Sequence, residues 1–135
     1  MAKSDTRFIY ANDDGGIVIV TPAEIQSGRA KAWIKFSGAT TGAILGSYGI
    51  SSISNPNTGE YTITFSTAFA NTNYAVVACS SGDPSIHRAI GLIDGGSSGS
   101  SETTTTSCGM NNFSTSAGGS HEGSLEIGVA FFGDQ

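Results

Sequence analysis

The sequence predicts an all-β fold: an antiparallel β-sandwich or jelly-roll-like domain, preceded by an N-terminal extended arm or hairpin. Charged residues make up 13% of the 135-residue chain, against roughly a quarter of an average domain. Glycine supplies 19 residues and serine and threonine are plentiful, which is typical of short strands joined by tight turns. The runs of Ala, Leu, Glu and Lys that a helical protein needs are absent from the sequence.

The first 28 residues predict the arm. Residues 12–16, Asn-Asp-Asp-Gly-Gly, are a strong turn signal between two apolar segments, because Asn, Asp and Gly tolerate left-handed backbone. Pro22 ends the second segment, since proline cannot donate to a strand ladder. A two-stranded hairpin is marginal alone, so we expect the arm to lie on its own domain, a neighbouring subunit or a larger assembly. The expected anchoring residues are Phe8, Ile9, Tyr10, Ile17, Val18 and Ile19.

The first strand of the sandwich domain, which spans residues 29–135, offers a candidate partner contact. Ala32, Ile34 and Phe36 share one face of this strand and make the better core face. Trp33 then lies on the outer face between two lysines, where we expect it to meet a partner as a buried aromatic anchor. The alternative is that Trp33 is an ordinary core residue.

About seven or eight strands are expected after residue 28, with the turn spacing of an antiparallel sandwich or jelly roll. Residues 60–66 alternate most clearly between apolar and hydroxyl side chains. Residues 74–79 are apolar on both faces, which predicts a central strand, and the threonine run 103–106 predicts an edge strand. The other strands are expected over 43–48, 50–53, 87–93 and 125–132.

Charge and targeting signals limit the possible partners. The formal net charge is −5 with only six basic residues, whereas nucleic-acid binding needs clustered Lys and Arg, so no nucleic-acid partner is expected. Arg29, Lys31 and Lys35 do cluster, which indicates either a local anionic contact or the outward face of one strand. No apolar signal core or membrane-length stretch occurs, so we expect synthesis in a cytoplasm and no membrane partner.

The sequence offers no pattern for catalysis or metal binding. Cys79, Cys108, His87 and His121 lack the close ligand pairs of a zinc site. The two cysteines are expected to be free or buried rather than a disulfide framework. No Gly-x-Ser-x-Gly elbow or phosphate-binding loop occurs. We therefore expect no enzyme activity, no metal and no cofactor.

Three segments in order resemble a module of tailed-bacteriophage structural proteins. They are A-K-A-W-x-x-F over 30–36, G-x-Y-T-x-x-F over 59–65, and N-Y-A-V-V over 73–77. The arm over 8–22 is similar, more weakly, to a short N-terminal element of phage proteins. The resemblance implies a tail-fibre or head-associated virion protein without catalysis, and its setting suggests a homotrimer.

The leading expectation is a capsid decoration, or cement, protein that binds the major capsid protein or another virion protein and stabilises the head. A different class, a tail-fibre or receptor-binding knob that recognises host glycans, would use loops over 95–107 and 111–122. A third possibility is a small lectin-like protein unrelated to phage. The residues expected in an exposed recognition loop are Ser97, Ser98, Ser100, Thr103, Asn111 and Asn112.

Overall fold

The computed structural model describes residues 8–11, 17–20, 28–38, 42–81, 88–93, 103–114 and 126–135. Within these ranges every regular element is a β-strand, which confirms the predicted all-β class. The strands are β1 (Phe8–Ala11), β2 (Ile17–Val20), β3 (Ala32–Phe36), β4 (Ile44–Tyr48), β5 (Ile50–Asn57), β6 (Glu60–Phe65), β7 (Ala75–Ser80), β8 (Arg88–Leu92), β9 (Ser107–Ser114) and β10 (Ile127–Phe132).

Eight of these strands form two four-stranded antiparallel sheets. The front sheet has the order β4-β3-β10-β7, and the back sheet has the order β5-β6-β9-β8. Strands β1 and β2 form a separate antiparallel pair, with Phe8 opposite Val20 and Ala11 opposite Ile17. The N-terminal segment thus contains a hairpin, and the sandwich architecture is as predicted. The jelly-roll form stays a prediction.

The core lies between the two sheets, and strict alternation produces it. In β3 and β10 every second residue is buried, beginning with Ala32 and Ile127. The ring of Phe65 in β6 meets that of Phe131 in β10 edge-on, with centroids 4.9 Å apart. Edge-on aromatic pairs are favourable beyond the area they bury. The other buried apolar residues are Ile34, Phe36, Tyr61, Ile63, Phe69, Tyr74, Cys108, Met110 and Val129.

Gly49 joins the two sheets by linking β4, at the edge of the front sheet, to β5, at the edge of the back sheet. Its φ of +68° lies in the left-handed region, where glycine is free of strain. A Cβ at this position would stand 2.7 Å from the carbonyl oxygen of Lys31. The backbone carbonyl of Gly49 accepts a 3.0 Å hydrogen bond from Ser66. The chain can therefore pass between sheets here because residue 49 has no side chain.

Two predicted strand assignments are wrong. Residues 74–79 were expected to form a central strand, but β7 is an edge strand among the described strands of the front sheet. The threonine run 103–106 precedes β9 and is not itself a strand. There the Thr104 hydroxyl accepts hydrogen bonds from the backbone N–H groups of Thr106, at 3.2 Å, and Ser107, at 3.0 Å. Such side-chain bonds offer the backbone an alternative to the ladder.

Candidate functional site: the outer face of the front sheet

The large apolar side chains that remain exposed are concentrated on one sheet. Within the described part of the chain five of them belong to the front sheet, whereas Leu92 in β8 represents the back sheet. Trp33 is 42% exposed and Val77 is 63% exposed. Isolated exposed apolar residues are ordinary, but a contiguous group marks an interaction surface. The five are Trp33, Ile44, Leu45, Tyr48 and Val77; the strand register puts Trp33, Tyr48 and Val77 on one face, whereas Ile44 stands opposite the buried Phe36.

Strand register places the outward-facing residues of the front sheet in rows. Trp33 stands opposite Tyr48 on one side and Ala130 on the other, and Ala130 in turn stands opposite Val77. Residues directly opposite in an antiparallel pair share a face. One row of this outer face is therefore composed entirely of apolar and aromatic side chains across all four strands.

The next row contains the small residues that shape a groove. Lys35 is opposite Gly46 and Gly128, and Gly128 is opposite Cys79. Because β10 carries Gly128 and Ala130 on this face, its outer surface is low between taller side chains from β3 and β7. The resulting groove has a volume of about 580 Å³. We call it the β10 groove.

The two sides of the β10 groove differ: the Trp33 side chain leans away from the groove floor, whereas the Cys79 side chain lies over it. The Trp33 indole lies above Gly46 of β4, where an added Cβ would meet the ring at 3.4 Å. The Cys79 thiol instead overhangs Gly128, at 3.3 Å from an added Cβ. Trp33 therefore covers Gly46 at one side of the groove, and Ala130 stays partly exposed on the groove floor.

Charge contributes little to the β10 groove. The Lys35 Nζ atom lies 2.7 Å from Glu126 Oε2 at one end of the groove, and both side chains are about half exposed. Surface ion pairs of this kind contribute little to stability. Their effect here is to neutralise the charged residues that line the groove, which leaves an apolar surface on an acidic protein.

The basic cluster expected from the sequence is divided in the structure. Arg29 and Lys31 line a separate polar pocket of about 270 Å³ together with Tyr48 and Gln135. Lys35 faces the β10 groove instead and pairs with Glu126. The three cations therefore do not form one anion-binding surface.

Titratable groups with shifted pKa values lie in the core and serve packing. Burial raises the pKa of the Tyr74 phenol well above its ordinary value, and the neighbouring Cys108 thiol raises it further. The Tyr74 hydroxyl donates to the backbone carbonyls of Thr104, at 3.0 Å, and Ser107, at 3.1 Å. Burial likewise raises the pKa of Cys108. Neutral side chains held in this way resist ionisation and are poor nucleophiles or bases.

The same is true of Tyr61, whose pKa is raised by burial and lowered in part by the charge of Arg88. Its hydroxyl donates to the carbonyl oxygen of Gly38 at 2.7 Å.

Cys79 and Cys108 are both free thiols, the first exposed and the second buried. Across the described residues, no group of three His, Cys, Asp or Glu side chains could hold a metal ion.

The expected recognition loop is wrong for Asn111 and Asn112, whereas Thr103 lies outside any strand. Asn111 and Asn112 lie within β9, and Asn112 is fully buried, with its backbone N–H donating to the carbonyl of Gly59 at 2.7 Å. Thr103 is half-buried, and its hydroxyl donates to the carbonyl of Ile93 at 3.3 Å. Strand pairing thus uses residues whose polar character suggested a loop. Ser97, Ser98 and Ser100 lie outside the described residues.

The predicted anchoring residues fall into two places. Phe8, Ile9 and Tyr10 belong to β1, and Ile17, Val18 and Ile19 belong to β2. Trp33 is on the outer face of β3, as expected, and not in the core. No described contact brings the hairpin and Trp33 together, since among the described strands β1 and β2 contact mainly each other.

Sequence reasoning missed most of the groove around Trp33. Val77, Ala130, Gly128 and Cys79 were not singled out, although one signal could have identified the first. The segment 74–79 is apolar on both faces, and a strand of this kind faces either two protein layers or one layer and a partner. The edge position of β7 and the exposure of Val77 favour the second explanation.

Comparisons with protein-family models, curated proteins and solved structures found no match to this chain. A search of the described residues for a helix long and apolar enough to span a bilayer found none.

Proposed function

We propose that the chain is a non-enzymatic structural protein of a tailed-phage particle, which decorates the capsid as an oligomer and stabilises the head. The observation that carries the proposal is the uncovered apolar face of the front sheet on an otherwise polar, acidic sandwich. A surface of this kind needs a partner. The sequence resemblance over 30–77 indicates what setting that partner belongs to.

The arm and the outer face would make two different contacts. The hairpin β1–β2, apolar in sequence, would lie against the major capsid protein and contribute strand hydrogen bonds and apolar burial. The outer face around Trp33 would hold the decorating copies together. Several copies joined in this way bind multivalently, so modest single contacts sum to tight attachment.

The size of the Trp33 contribution follows from its exposure. A tryptophan buries up to about 250 Å², so its 42% exposed fraction corresponds to about 100 Å² that a partner can still cover. At roughly 25 cal/mol per Å² this amounts to about 2.5 kcal/mol per copy. Trp33→Ser should therefore weaken assembly strongly while leaving the core untouched.

Removal of residues 1–20 tests the arm's role on the particle. The truncated protein should stay folded, since the sandwich core is built from β3 to β10, but it should be released from particles on washing. Thr64→Glu, on the outer face of the back sheet, is the control that adds charge away from arm and groove. If truncated protein still saturates particles as the parent does, the arm does not anchor the chain.

Binding of isolated protein to host cells separates decoration from host recognition. A decoration protein needs no affinity for the host surface, whereas a tail-fibre or receptor-binding knob does. Saturable binding to host cells that free glycan abolishes by competition would instead indicate a tail-fibre or receptor-binding knob.

A further inference from the structure

We infer that the outer face of the front sheet is covered by the same face of a second copy of the chain, with Trp33 of each copy seated in the other's β10 groove. This contact concerns the chain in solution. It deepens the copy-to-copy contact of the proposed function and rests on it in that respect, but it is measured without particles, so its failure can be distinguished from failure of the virion role.

The shape of the face is the first argument. A large aromatic side chain and a groove lie side by side on it, because the Trp33 ring covers Gly46 while the neighbouring strand offers only Gly128 and Ala130. A two-fold axis that lies in the plane between two facing sheets, parallel to the strands and between Trp33 and the β10 groove, puts each Trp33 into the partner's groove. Isologous contacts require self-complementary surfaces of this kind, and aligned sheets pack face to face about 10 Å apart.

Charge is the second argument. The whole chain carries a formal net charge of −5, so two copies repel each other unless their contact surface is neutral. The two charged side chains that line the β10 groove, Lys35 and Glu126, are paired at 2.7 Å. The groove therefore brings no unbalanced charge to the contact, whereas Lys31, beside Trp33, lines the neighbouring polar pocket. An acidic or basic partner would find no complementary charge in the groove.

The area of the face sets the strength of the contact. Four strands about 4.8 Å apart and about six residues long cover roughly 400 Å² per copy, or about 800 Å² for a pair. This is below the roughly 1,200–2,000 Å² of stable complexes. The pair should therefore be weak and reversible, with single copies at high dilution. An isologous contact closes at two copies, so a homotrimer would need a different contact, such as one made by the arm.

The chain carries its own reporters at this contact. Trp33 is the single tryptophan of the sequence, and Cys79, on the groove wall, is the exposed one of two thiols. The experiment follows the full chain from dilute to concentrated solution by sedimentation. Tryptophan emission and the rate of Cys79 labelling by a maleimide are measured at each concentration. Mass should rise from one copy to two, while emission shifts to the blue and labelling slows in parallel.

Charge substitutions identify the face. Ala130→Glu in the groove floor and Val77→Glu on its wall should each abolish the concentration dependence of mass, emission and labelling. Val77 is 63% exposed, so its substitution leaves the fold intact even if the first variant does not fold. Thr64→Glu, on the outer face of the central strand β6 of the back sheet, is the matched control and should associate like the parent.

Three outcomes would overturn the inference. The first is a mass of one copy throughout the concentration range, and the second is association that both groove variants retain. The third is a Trp33 emission that is already blue-shifted at the highest dilution and shifts to the red in the Ile19→Asp variant. That result would mean that the hairpin, and not a second copy, covers Trp33. Loss of particle binding with the pair intact would count against the virion role alone.

Discussion

Gly49→Ala should destabilise the protein more than Gly42→Ala or Gly28→Ala does. Gly49 has a φ of +68°, where an alanine costs about 1–2 kcal/mol in backbone strain. The added Cβ would also stand 2.7 Å from the Lys31 carbonyl oxygen and 3.2 Å from the Ala32 Cβ atom. Backbone must then move, and overpacking of this kind costs about 1–3 kcal/mol more. The expected total is about 2–5 kcal/mol.

Two other glycines separate strain from collision. Gly42 also has a positive φ, of +56°, but among the described atoms an added Cβ would meet only Ile53 Cγ2, at 4.0 Å. Gly42→Ala should therefore cost only the conformational strain, about 1 kcal/mol after the reduced entropy of the unfolded chain is subtracted. Among the described residues an added Cβ at Gly28 has no neighbour within 4 Å, and its φ is not positive, so Gly28→Ala should be nearly neutral.

Urea unfolding followed by circular dichroism measures all three variants against the parent. The slope of the free energy of unfolding against urea should stay constant, because the exposed area is unchanged, while the midpoint falls in the order Gly28, Gly42, Gly49. Equal losses for Gly42→Ala and Gly49→Ala would refute the close approach of the Lys31 carbonyl, and with it the described passage between the two sheets.

Three further outcomes follow from the core. Phe131→Ala should lower the free energy of unfolding by about 3–5 kcal/mol, measured by urea unfolding, because it removes a fully buried ring of the aromatic cluster. A maleimide should label Cys79 in native protein but Cys108 only after unfolding, as mass spectrometry of the labelled peptides would reveal. Burial raises the pKa values of Tyr74 and Cys108, so the folded state holds their protons more tightly. Stability should therefore be full below roughly pH 9 and fall as the unfolded groups ionise above it. Tyr74→Phe should flatten this alkaline fall in a pH series of melting curves and cost about 1–2 kcal/mol at neutral pH, because it removes the bonds to Thr104 and Ser107.

The strand faces that pack against the core were predictable because alternation alone determines them. Ala32, Ile34 and Phe36 are buried as expected, and Trp33 lies on the opposite face. The same holds for β6, where Tyr61 and Ile63 are buried between more exposed threonines. In both strands one face is apolar and the other is not, so only one packing is consistent with the pattern.

The position of β7 was not predictable in this way. An apolar residue such as Val77 looks the same in a sequence whether a second protein layer covers it or only a partner does. Its edge position depends on which strands pair with β10, and that pairing joins residues far apart in the chain. The β10 groove depends on the same pairing, because Gly128 and Ala130 form a floor only between β3 and β7.

Local hydrogen bonding explains the errors around β9. Threonine favours extended backbone, yet Thr104 uses its hydroxyl to hold the turn before β9. Asn112 is polar but buried, because β9 is a central strand whose backbone is needed by both neighbours. Composition predicted a strand for the threonine run and a loop at Asn112. Local hydrogen bonding overrode the first prediction, and strand pairing overrode the second.

The copy number of the chain in purified parent particles tests the proposed function most directly. Quantitative mass spectrometry would compare peptides of this chain with those of the major capsid protein. A decoration protein that covers the shell should be present at a number comparable to the capsid subunit. A few copies per particle would indicate a fibre or tail component, and absence from washed particles would contradict the virion role altogether.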